Sequence, residues 1–152
     1  MCTGFRHPRK IQGEGGWSSP GEVVKIYEHL QQSIEGGVEL ILGCCGAPAD
    51  WAGRKELFGE TIGEIQKQWE ELGSPQVITA CSSCCRMFKD HASAMPVESL
   101  WTVLDRVGLP ASDNPASSTV VAIHDACTTR HESDIQESVR QQTRSASLRV
   151  AG

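Results

Sequence analysis

Three short apolar runs in this chain each lead into cysteine. Val38-Glu39-Leu40-Ile41-Leu42 passes through Gly43 into Cys44-Cys45, and Gln76-Val77-Ile78-Thr79-Ala80 runs directly into Cys81. Thr119-Val120-Val121-Ala122-Ile123 passes through His124-Asp125-Ala126 into Cys127. Runs of this length, bounded by Gly, Pro and Ser, suit buried strands. Helical patterns separate them. Ser19-Pro20-Gly21-Glu22 offers an N-cap, a proline in the first turn and a Glu three residues on. Val23, Tyr27, Leu30 and Ile34 follow at helical spacing until Gly36-Gly37. Phe58, Ile62, Ile65, Trp69 and Leu72 mark one face of a second helix that exits at Gly73. A short helix is expected through Arg86 and Phe88. Pro96 is expected to open another, with Val97, Leu100, Trp101, Leu104 and Val107 inward and Gly108 as its cap.

Strands that alternate with helices imply a parallel sheet, because a crossover helix returns each strand in the same direction. The expected fold is therefore a three-layer α/β arrangement, a short parallel sheet with helices on its faces. Open sheets of this kind bind ligands at the C-terminal ends of their strands. That edge would gather Cys44, Cys45, Cys81, Cys84 and Cys127 on one rim.

Composition narrows what such a rim can serve. At 152 residues the chain is one domain, or one domain and a fragment of another. With 39% hydrophobic and 22% charged residues it can build a core. A net charge of −5, with no basic cluster, argues against nucleic acid and against an anionic membrane surface. No apolar run approaches the roughly 20 residues that span a bilayer. The first eight residues, 1–8, lack the apolar core of a signal peptide. A cytoplasmic location is the expectation, and disulfides rarely persist there. Seven cysteines, an odd number, then read as ligands or redox thiols rather than staples.

The residue types leave three chemistries open. Soft thiolates select zinc, copper(I) or iron–sulfur clusters. A structural zinc site usually pairs two spaced motifs, whereas iron–sulfur ligation tolerates several spacings and uses thiolates almost alone. The adjacent Cys44-Cys45 pair therefore favours iron–sulfur over zinc. His91 and His124 lie near the clusters in sequence, but a solvated helix end and a strand-end packing role account for them as well. A metal-free dithiol is the third chemistry, with Cys81 at a helix start and Cys84 as its partner.

The segment Gly43-Cys44-Cys45-Gly46, followed after some three dozen residues by Cys81-Ser82-Ser83-Cys84, resembles the CCG pattern of the cysteine-rich domain. That domain occurs in the disulfide-cleaving subunit of heterodisulfide reductase, the glycolate oxidase iron–sulfur subunit and related iron–sulfur oxidoreductases. His124-Asp125-Ala126-Cys127 is similar to the opening of a second copy, with Ala126 where proline is usual. The resemblance covers roughly residues 20–139. It implies a [4Fe-4S]-type cluster held by Cys44, Cys45, Cys81 and Cys84, with Cys127 as the first cysteine of the next copy. It also implies flavoprotein or ferredoxin-like redox partners; a few relatives carry zinc instead. Cys85 matches no family position and reads as a helix-facing bystander. The expected organisation is an irregular stretch over 1–18, the cysteine-rich domain over 19–118, the start of a second copy over 119–140, and a disordered tail over 141–152. On this reading the chain is an internal piece of a longer protein, and Cys2 is its only cysteine upstream of Cys44. Arg54 and Trp51 are candidates for an electrostatic partner and a water shield at the rim.

Overall fold

A computed structural model describes residues 20–110, 120–146 and 148–150. Helix α1 (Pro20–Ser33) is followed by the short α2 (Ala47–Trp51), the long α3 (Lys55–Glu71) and strand β1 (Val77–Thr79). Then come α4 (Ser82–His91), β2 (Val97–Ser99), α5 (Leu100–Val107) and β3 (Val120–Val121). A 3-10 turn (Cys127–Thr129), α6 (Ser133–Ser145) and β4 (Arg149–Val150) complete the order.

Strands β1 and β2 pair in parallel, Val77 opposite Val97 and Thr79 opposite Ser99, with α4 as the crossover. Side chains alternate across a strand, so the pair has two faces. Val77 and Val97 pack into one apolar cluster with Phe58, Ile62, Ile65 and Trp69 of α3 and Met87 and Phe88 of α4. Ile78 packs into the other, with Leu30 of α1 and Leu100, Val103 and Leu104 of α5. Helices therefore lie on both faces of a short parallel sheet, which is the expected α/β layering. Each fully buried Leu, Val or Phe contributes about 1.5–3 kcal/mol on transfer from water. The edge-on contact of the Phe58 and His91 rings, 4.9 Å between centroids, ties α3 to the far end of α4.

Several elements depart from the sequence expectations. Residues 38–42 take no place in a sheet ladder. Leu40 and Leu42 are exposed, Leu42 at 70%, and residues 38–41 line a cavity together with Val77 and Ile78 of β1. Val97-Glu98-Ser99, expected as the first turn of a helix, is strand β2. The Ser99 hydroxyl accepts from the Trp101 amide at 3.3 Å and so sets the start of α5 four residues later than proline alone suggests. Trp101 and Leu72, expected inward, are exposed. The third run shrinks to Val120–Val121 and pairs in parallel with β4 rather than with β1 or β2. Residues 141–145, expected as part of a disordered tail, finish α6, and β4 follows. The Gln142 amide, buried, donates to the Trp101 carbonyl at 2.6 Å and holds α6 on α5. The expected irregular stretch over 1–18, Cys2 within it, and most of the loop before β3 lie outside the described residues.

Candidate functional site

The site is built around the exit from β1. The strand delivers Cys81 as the N-cap residue of α4, in extended conformation at φ −100° and ψ 126°. Cys84 follows one turn on, buried against the α3/α4 cluster. The Cys84 thiol donates to the Cys81 sulfur, and the amides of Cys84 and Ser83 add to that field. Together they outweigh the desolvation of Cys81 and the opposing charge of Cys45, and bring its pKa down to about 5. Unpaired N–H groups at a helix start favour negative charge in this way. Cys81 is thus a thiolate at neutral pH.

The second pair arrives on the other side of the same cluster. Cys45 is buried beside Cys84, Phe58 and Phe88. Gly46 turns the chain in the left-handed region, φ 78°, and caps the start of α2. A Cβ here would stand 3.0 Å from Phe58 and 3.3 Å from Thr61. Glycine therefore serves both the backbone conformation and the close approach to α3. Gly43 lies still closer to α3, against the Ile65 side chain.

The structure thus brings Cys45, Cys81 and Cys84 together. Cys44 is exposed next to them, and Cys127 is exposed on the 3-10 turn. That turn is nonetheless held near the α4 start, because Thr128 Oγ1 donates to Ser82 Oγ at 3.0 Å. A salt bridge from Lys89 to Glu132, 2.8 Å, fastens the same segment further along α4. Sequence reasoning missed both links.

The candidates other than cysteine are exposed. Trp51 is 63% exposed. Arg54 is the N-cap residue of α3 and is exposed. His91 ends α4 against Phe58, and His124 is exposed. Cys85 is buried on α4, where burial raises its pKa despite the nearby Thr79 hydroxyl and Lys89. Cys85 was expected to be a helix-facing bystander, and its side chain is buried on α4.

Among the described residues no group of three or more His, Cys, Asp or Glu side chains is already arranged to hold a metal ion. The donor chemistry nevertheless fits a thiolate-bound centre. Three sulfur atoms share one apolar wall, one of them already ionised and set at a helix start. Closure to four ligands requires Cys44 to turn inward.

No curated protein and no solved structure matches the chain. Residues 34–89, the segment that carries both cysteine pairs, match the family model of the CCG cysteine-rich domain.

Proposed function

We infer that the chain is a redox protein or subunit that holds a [4Fe-4S]-type cluster on Cys44, Cys45, Cys81 and Cys84, with Cys127 as a further thiolate. The observation that carries this reading is the convergence of Cys45 and Cys84 on an ionised Cys81 within a CCG domain. Domains of this family occur in iron–sulfur oxidoreductases. A bound cluster supplies one-electron transfer. The residues supply the rest: Phe58 and Phe88 exclude water behind the sulfur atoms, and the α4 amides lower thiolate basicity. Exposed Cys44 and Cys127 leave the rim open toward a flavoprotein or ferredoxin-like partner. The test is anaerobic purification with metal and acid-labile sulfide analysis and an absorbance spectrum. Iron with matching sulfide supports the reading; stoichiometric zinc replaces it with a zinc-stabilised interaction module.

A second reading has its own observation, the Cys84-to-Cys81 hydrogen bond at the α4 start. Without metal, half-buried Cys81 is placed to attack a disulfide, releasing one thiolate and forming a mixed disulfide. Buried Cys84 then displaces the second thiol, so the two electrons come from the dithiol and Cys81–Cys84 is left oxidised. Metal-free protein with two readily oxidised thiols would favour it.

A further inference from the structure

The turn that carries Cys127 is held between two helices. On one side α6 grips it at both ends. The Arg140 guanidinium forks onto the Asp125 carboxylate, Nη2 to Oδ2 at 2.6 Å and Nη1 to Oδ1 at 3.2 Å. One helical turn earlier on α6 the Gln136 side-chain amide donates to the Thr129 carbonyl at 2.9 Å. Nη1 of Arg140 also donates to the Gln136 carbonyl at 3.0 Å, which steadies the guanidinium on its own helix. Within the turn, the Thr129 amide and hydroxyl both donate to the Ala126 carbonyl at 2.9 Å. On the other side Thr128 donates to Ser82 of α4. Ser82 follows Cys81 and Thr128 follows Cys127, so each cysteine directly precedes one member of a hydrogen-bonded hydroxyl pair.

Helix α6 does not need Arg140 to stay in place. Glu132, its N-cap residue, pairs with Lys89 of α4, and buried Gln142 near its far end donates to the Trp101 carbonyl. Ile135 between them is buried. The Asp125–Arg140 pair is only partly buried, and a single ion pair so placed adds little stability. What a planar two-bond fork adds is direction as well as distance.

We propose that Arg140 is a positioning residue: through Asp125 it holds the Cys127 turn against the α4 start, so that Cys127 serves the same centre as Cys81. This role rests on the thiolate-bound centre proposed above. Without the fork, the chain before Cys127 loses its hold on α6, and the turn keeps only its attachments through Thr128 and Thr129. Cys127 then leaves its place at the rim. Cys44, Cys45, Cys81 and Cys84 stand on other elements and keep theirs.

A short iodoacetamide pulse on the full chain, followed by peptide mapping, tests it, metal-free and after anaerobic addition of iron and sulfide. Loading is measured separately by metal and sulfide analysis. A ligated thiolate is withdrawn from alkylation, so Cys127 should label about tenfold more slowly, or slower still, in the loaded chain. Arg140→Met keeps the apolar stem and Asp125→Asn keeps the side-chain shape. In both, that protection should fall below about twofold, while iron, sulfide and far-UV helicity match the unmodified chain. Arg140→Lys keeps the charge without the fork and should recover part of the protection. Full protection of Cys127 in either Arg140→Met or Asp125→Asn overturns the proposal. Equal labelling of Cys127 with and without the centre in the unmodified chain also overturns it, and leaves a centre on the other thiolates intact. Loss of iron from a variant that keeps its helicity overturns it too, because the pair would then serve the whole centre. Uptake of no iron by the unmodified chain overturns both the positioning role and the bound centre beneath it.

Discussion

Cys81 and Cys85 stand one helical turn apart, and their thiols titrate in opposite directions. Cys81 gains a thiol donor and two amides at the helix start; Cys85 gains mainly burial. In the metal-free chain, alkylation at Cys81 should therefore reach half its plateau rate near pH 5 and be flat above about pH 7. Peptide mapping after a short iodoacetamide pulse checks this, and Cys85 should stay unlabelled until the fold opens. The same shifts set the stability profile. Cys81 ionises more readily folded than unfolded, so the metal-free fold gains stability as pH rises from about 5 toward 9. Cys85 stays neutral where the unfolded thiol ionises, so it draws stability down above about pH 9. Chemical unfolding across that range should show the rise followed by the fall. Gly46 is a second residue-level test. Gly46→Ala meets both the left-handed backbone and the Phe58 contact, and should cost about 1–2 kcal/mol or more by urea unfolding.

At the scale of elements, legibility followed how much of the signal was local. The α3 face was readable because Phe58, Ile62, Ile65 and Trp69 repeat at helical spacing and all four are buried. Leu72 belongs to the same repeat but lies past the last turn, where it stays exposed. β1 was readable from Val77-Ile78-Thr79, and with it the placement of Cys81 and Cys84. β2 was not, since Val97-Glu98-Ser99 carries little hydrophobic signal and exists as a strand through its pairing with β1. The same holds for β4 and the last turn of α6, which depend on partners distant in sequence. Residues 38–42 show the reverse error: strong strand composition without a ladder. For the site, Cys45, Cys81 and Cys84 were legible from spacing. The Thr128–Ser82 link was not, because the two residues are 46 positions apart. Ser99→Ala tests the β2–α5 junction directly. Loss of the hydroxyl that accepts from Trp101 should cost about 1 kcal/mol, read as a lower urea midpoint.

For the whole molecule, the question is whether the fold waits for its centre. In many small metal domains it does, because too little apolar surface is buried without the ion. Here two clusters flank the sheet, and Leu30, Leu100, Val103 and Leu104 form one with no cysteine in it. The other contains Cys45 and Cys84, but Phe58, Ile62, Ile65, Trp69, Met87 and Phe88 supply most of its bulk. Core packing of this extent contributes several times the few kcal/mol that one lost thiolate contact removes. Cys81→Ser should therefore abolish uptake of iron and sulfide while far-UV helicity stays nearly unchanged. Leu104→Ala should do the opposite, lowering stability by about 2–5 kcal/mol through a cavity remote from the thiols. Metal analysis and circular dichroism on the two variants give a clean crossing. Full iron retention in Cys81→Ser would show that the ligands lie elsewhere. Collapse of helicity in that variant would show that the α3/α4 cluster depends on the thiolates after all.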